Sequence, residues 1–287
     1  AATAAVECGG AARPGAGSRS EACTSCGGAP CGDRAALRRA NAVIAPSQAG
    51  LDAAGLAHGE LIPNGVPDRF FGAAPSGGGN LRAEHGIPDT AALLGIVGRL
   101  DPHKGHDVLL QSLAGDWPKR VPEGEAPHLV IAGGELFAEA HARLGGYGDH
   151  LRQQVAQLGL AERVHWLGQV DDTSPLLAQL DTLVVPSIRA ESAPRTIAEA
   201  QARGCPVVAS AIGGITNMLQ GGNAGVLVPP GDTSALTAGL GRVLSDEPFR
   251  VSAVQNARQY ADAHYRMSTF ARRCEAVFAQ ANAATGS

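Results

Sequence analysis

Aromatic side chains are scarce in this chain: Phe, Trp and Tyr together make 4% of 287 residues, while glycine alone supplies 38. A core with so few large rings relies on close approach of small residues, which suits tightly packed helix-on-sheet layers. Apolar runs are also short. None approaches the ~18 residues that a membrane-spanning helix requires, and no stretch has the make-up of a secretory signal. Basic clusters are missing, and with a net charge of −4 the chain offers no surface suited to nucleic acid. Charged residues amount to 17% against 44% hydrophobic ones, which excludes a disordered chain and allows a substantial buried core.

What is present is a regular alternation. Apolar runs at residues 92–97, 128–132, 164–167, 182–185, 206–209 and 225–228 read as strands, and they alternate with helical patterns. Helices are expected at 149–158, at 233–244 behind an Asp232 cap, at 248–263 and at 268–281. Strands that alternate with helices make a doubly wound α/β domain with a parallel sheet. Before it, residues 41–47 (NAVIAPS) read as one more strand followed by a short helix. Residues 61–66 read as a crossover, and 72–80 (GAAPSGGGN) have linker composition.

Two segments carry chemistry. In PSIRAESAPRTIAEAQARGCPVVAS, Pro186 and Ser187 end an apolar run, Pro194 suits the first turn of a helix, and Gly204 closes that helix. Glu191 therefore sits in the loop at the carboxyl end of a strand and Glu199 one to two turns into the helix. Ligands collect at that edge of open parallel sheets, and two acids there can hold sugar and ribose hydroxyls. The alternative for each acid is a solvated side chain. In GIVGRLDPHKGHDVLLQSL, Gly98 follows a strand, and Arg99, Lys104 and Gly105 precede a helix. A glycine turn, two cations and a helix amino terminus can clamp a diphosphate. Two solvated cations beside a turn are the alternative.

GRLDPHKG followed by the E-x7-E pattern resembles the carboxyl-terminal domain of family 4 retaining glycosyltransferases, of Rossmann-like GT-B architecture. IPNGV at 62–66, IAGG at 131–134, VHWLGQVDD at 164–172, GGIT at 213–216 and GVLVPPGD at 225–232 fall in the same order. The resemblance covers roughly residues 40–263 and implies a nucleotide-diphosphate sugar donor, retention at the anomeric carbon, no cofactor and no required metal. It implies that Arg99 and Lys104 bind the diphosphate, that Glu199 holds ribose, that Glu191 lies near the transferred sugar, and that Val170 lies along the base. Gly98, Gly133, Ala193, Pro194, Arg195 and Thr196 complete the donor contacts so implied, with Arg99, Lys104 and Glu191 as the catalytic set.

Two departures stand out. A Gly-Phe-Gly-like turn is replaced by Ser192-Ala193-Pro194, and a GGIPE-like stretch reads Gly213-Gly214-Ile215-Thr216-Asn217. Pro194 removes one N–H that could face the donor.

The GT-B architecture needs two facing domains, and one is recognisable. The expected organisation is a Cys/Gly/Ala-rich insertion at 1–32, the end of the acceptor domain with a linker at 33–80, a donor domain at 81–264 and a terminal helix at 265–287. The chain then reads as a fragment that holds the donor half, in a cytoplasmic setting; a natural one-domain protein is the alternative. Its acceptor would be a glycan or lipid-linked saccharide, and peripheral membrane association would run through the other domain. A non-catalytic nucleotide-sugar binding module and a GT-B sugar-nucleotide epimerase are the competing readings.

Cys8, Cys23, Cys26 and Cys31 could complete a tetrahedral zinc site, could serve redox chemistry, or could be incidental thiols. Cys205 and Cys274 read as small core residues. His103 and His106 flank Lys104 and could touch phosphate; ordinary exposed loop imidazoles are the alternative. His165 reads as structural, and His85, His141 and His150 form no constellation. Ser47, Ser187 and Ser210 end strands with no base beside them.

Overall fold

The structure is a computed structural model that describes residues 4–6, 37, 40–73, 79–115, 117, 126–135, 146–189 and 191–283. Cys8, Cys23, Cys26, Cys31 and His141, with most of the segment at 1–32 and part of the linker at 72–80, lie outside the described residues.

Two parallel sheets organise the chain. The small one orders β1 (Ala4–Val6), β2 (Ala42–Ala45) and β3 (Glu60–Leu61) side by side. Helix α1 (Gln48–Ala54) follows β2, with the Ser47 hydroxyl accepting the Gly50 N–H at 3.2 Å. After α2 (Leu81–His85) comes the large sheet, built from β4 (Leu93–Val97), β5 (His128–Ala132), β6 (Val164–Gly168), β7 (Thr182–Val185), β8 (Val207–Ser210) and β9 (Val226–Val228). Its spatial order is β6-β5-β4-β7-β8-β9, every pair parallel. The order reverses between β4 and β7, as in a doubly wound dinucleotide-type sheet.

The six expected apolar runs are the six strands of this sheet. Both faces are covered, so the strands read as continuous Leu, Ile and Val runs without alternation. On one face α3 (His106–Ala114), α4 (Tyr147–Gln157) and α8 (Thr233–Ser245) bury Leu109, Leu113, Leu151, Leu236 and Leu240. On the other, α5 (Ser174–Leu177), α6 (Arg195–Arg203) and α7 (Ile215–Met218) bury Leu176, Ile197 and Ile215 with Tyr265. Strand β8 begins after Pro206, one residue later than expected. Proline has no N–H for the ladder, although its carbonyl accepts the Leu183 N–H at 2.8 Å. Helix α4 begins at Tyr147, two residues early, because the Glu135 carboxylate accepts the Gly148 N–H and caps it from outside. Pro194 is the N-cap residue of α6 and not a member of its first turn.

Helix α9 (Glu247–His264) crosses back from the large sheet, and α10 (Met267–Ala283) packs Val277 against Ile44 and Ile62 of the small one. The Val66 N–H donates to the Tyr265 carbonyl at 2.7 Å, so the two chain crossings are tied together. Buried Arg203 donates to the carbonyls of Gly72 (3.3 Å) and Ala73 (2.9 Å) and also reaches the Arg69 carbonyl, which fastens the connector to α6. Cys205 is buried, whereas Cys274 is half-buried at the margin of the small core, not within it. No described helix is long and apolar enough to cross a membrane.

Candidate functional site

In a doubly wound sheet, ligands gather outside the carboxyl ends of the strands at the reversal of order, here β4 and β7. After β4 the chain turns through Gly98 and exposed Arg99 into a single 3-10 turn, Pro102–Lys104, where the Asp101 carboxylate accepts the His103 N–H at 2.9 Å. Gly105 follows with φ of +74°, and a Cβ there would lie 1.9 Å from the Pro186 carbonyl oxygen. Only glycine permits that conformation and that approach together. The Ile188 N–H donates to the His103 carbonyl at 2.9 Å, which completes the seam between the two loops.

This seam places the Lys104 Nζ 2.7 Å from Oε2 of Glu191. The Ser187 hydroxyl donates to the other carboxylate oxygen. Glu191 is thus fixed at both oxygens, with its side chain 19% exposed. Its carbonyl accepts the Gly214 N–H at 2.9 Å, and a Cβ on Gly214 would meet the Ser192 carbonyl oxygen at 1.7 Å. The Ser47 hydroxyl, from the small sheet, donates to that same Ser192 carbonyl at 2.7 Å. The turn after the first acid is therefore held from both sides.

Glu199 lies one turn into α6 and is 8% exposed. Thr173 donates its hydroxyl to Oε2 at 2.9 Å, and the Arg195 guanidinium stands 3.5 Å from Oε1. Burial pushes this carboxyl above the usual carboxylate range, with Thr173 and Arg195 pulling the other way. Among the described residues the two acids share no partner. Arg99 is exposed and enters no ion pair among the described residues, so its charge is free for an anion. Gly98 and Gly133 extend the strand ends, donating to the carbonyls of Ala132 (2.9 Å) and Gly168 (2.7 Å). Val170 is half-buried beyond β6, Ala193 and Thr196 are half-buried, Pro194 is buried and Arg195 is exposed.

Ser187 and Thr173 hold the two acids, yet the sequence shows Ser187 only as a strand end and does not single out Thr173. The nearest signal was that Ser187 closes a strand four residues before Glu191. The histidines differ more from expectation. His106 is not a loop imidazole: it is 1% exposed, against the Tyr147 ring, with neither ring nitrogen in a hydrogen bond of ordinary geometry. Burial brings its pKa down to about 4, against the opposing charge of Asp107. His103 is exposed, 3.5 Å from the Asp101 carboxylate. His150 does belong to a constellation, since its Nε2 lies 2.7 Å from Asp107, which also accepts the Tyr147 hydroxyl. His85 likewise stands 5.4 Å from the His165 ring, and His165 shares a 3.0 Å hydrogen bond with His128. Among the described residues no group of His, Cys, Asp and Glu is arranged to hold a metal.

The edge thus combines cations for an anion with two separately anchored carboxylates for hydroxyls. Known proteins resemble this chain in sequence and fold. A D-inositol 3-phosphate glycosyltransferase of Salinispora arenicola is 31% identical over 210 residues, covering 70% of this chain and 45% of that protein. A phosphatidyl-myo-inositol mannosyltransferase of Mycobacterium leprae is 33% identical over 192 residues, covering 66% and 45%. The chain spans about half the length of the curated relatives it matches. The crystal structure of Anabaena Alr3699/HepE in complex with UDP-glucose superposes with a TM-score of 0.73 at 29% identity, over 84% of this chain and 64% of that one. The family model for glycosyl transferases group 1 matches residues 79–260, the whole doubly wound sheet with its site edge, and the chain belongs to that family.

Proposed function

We propose that this chain binds the nucleotide-diphosphate sugar donor of a retaining glycosyltransferase that acts on a glycan or lipid-linked acceptor. The observation that carries the reading is the Lys104–Glu191 pair, which joins the loops after β4 and β7 where the strand order reverses. Lys104 takes the diphosphate together with Arg99, which enters no ion pair among the described residues. As the bond between the anomeric carbon and the phosphate oxygen breaks, negative charge grows on the leaving group. Cations fixed there stabilise the transition state more than the ground state. Glu199 accepts from the ribose hydroxyls, and Glu191, held by Ser187 and Lys104, orients the sugar.

UDP is the first nucleotide to test, because HepE was crystallised with it. Calorimetric titration should give one site, weakened by roughly 2–3 kcal/mol in both Lys104→Ala and Glu199→Ala, the scale of a hydrogen bond to a charged group. Unchanged affinity in both variants would sink the assignment. The competing reading is a nucleotide-sugar binding module without transfer. Product formation after joining the chain to a relative's amino-terminal half separates the two.

A further inference from the structure

Behind the turn at 193–195, away from Lys104 and Glu191, lies a cavity of about 220 Å3. It occupies the junction where the chain crosses from the small sheet to the large one and back. Pro63 bounds it at the first crossing, Tyr265 at the second, and Ala198 and Met218 on the large-sheet side. A partly open pocket of this size has room for a small ring, since an apolar cavity of ~150 Å3 is known to take benzene.

The walls are mostly apolar, yet Arg195, His264 and Arg273 all line the cavity, and among the described residues no Asp or Glu does. Arg195 stands near Glu199 at 3.5 Å, and Arg273 spends one guanidinium nitrogen on the Leu61 carbonyl at 2.9 Å. Basic side chains gathered around an apolar space favour a ligand that brings negative charge and an apolar body together. We propose that this cavity is a binding site for an amphiphilic anion, with one or two rings or a short hydrocarbon body and a single phosphate or carboxylate. The cavity shares Ala193, Pro194 and Arg195 with the turn beside the donor edge, but neither Lys104 nor Glu191 lines it, and the proposal does not rest on the donor reading.

The whole chain is titrated with 1-naphthyl phosphate, 1-naphthaleneacetate, uncharged 1-naphthol and inorganic phosphate. We expect one-to-one binding of at least one naphthyl anion, tenfold or more tighter than either 1-naphthol or inorganic phosphate. The better of the two naphthyl anions identifies the head group. Binding persists in Lys104→Ala, which separates this site from the diphosphate loop, and falls at least tenfold in Arg273→Gln. Asn217→Trp blocks the cavity from an exposed position on α7 and gives the same loss should the Arg273 variant fold poorly by circular dichroism. Loss of binding in Lys104→Ala, equal affinity for 1-naphthol, indifference to both cavity variants, or no naphthyl binding at all overturns the proposal.

Discussion

Glu199 has an ionisation state that its neighbours decide. Burial favours the neutral acid, and the Thr173 hydroxyl favours the carboxylate that ribose hydroxyls need as acceptor. Thr173→Val deletes the donor and keeps the shape. The carboxyl pKa then rises further, so UDP affinity at pH 7.5 should fall about tenfold, on the scale of one charge-assisted hydrogen bond. The decisive readout is pH. Affinity in the variant should fade at a higher pH than in the parent chain, a displacement that mere loosening of α5 would not produce. Thr173→Ser, which restores the hydroxyl, should return the profile. Coincident profiles for Val and parent would remove Thr173 from the site. Ser187 stands in the same relation to Glu191, with Lys104 on the opposite oxygen, so each acid has one hydroxyl and one cation.

At the scale of elements, the loop after β4 is built around a residue with no side chain. Gly105 serves both as the left-handed end of the 3-10 turn and as the residue preceding α3. Gly105→Ala meets the Pro186 carbonyl and adopts a strained φ, costs of about 1–3 kcal/mol for the backbone alone and more for the overlap. Urea unfolding should show that loss. UDP binding should weaken beyond what stability explains, because the shifted loop carries Lys104. An unfolding midpoint equal to the parent's would show that the seam yields without strain.

The strands of the large sheet were legible because a buried parallel strand leaves an unbroken apolar run between Gly and Pro signals. The two acids were legible because E-x7-E spans one strand-to-helix junction. The partners were not. Lys104 and Glu191 are 87 residues apart, and nothing local marks Thr173 as the donor to an acid 26 residues later. The place of His106 is hidden for a related reason. Beside Lys104 it looks like loop, but it is the first residue of α3, and tertiary packing against Tyr147 takes it out of water.

For the whole molecule, the buried imidazoles set how stability responds to acid. His106 and His165 both have pKa values brought down to about 4, each first by burial, and His165 also by the nearby His128 and His85. In the unfolded chain both titrate near 6.5. Between pH 6.5 and about 4 the unfolded state therefore binds protons that the folded state refuses, and stability falls as pH is lowered through that window. For fully buried His106 the loss is on the order of 3 kcal/mol; His165 adds less, since solvent screens a half-exposed ring. Glu199 works in the opposite sense. Its raised pKa makes the folded state bind a proton first, so it returns some stability as pH falls. Two imidazoles outweigh one carboxyl, and the unfolding midpoint in urea should drop from pH 7.5 to pH 4.5. His106→Leu tests the dominant contribution. Its ring nitrogens lack well-formed hydrogen bonds, so the variant should keep most of the stability at pH 7.5. It should also lose a large part of the acid-induced drop. A variant with an undiminished drop would move the acid sensitivity to the histidine pair at β5 and β6.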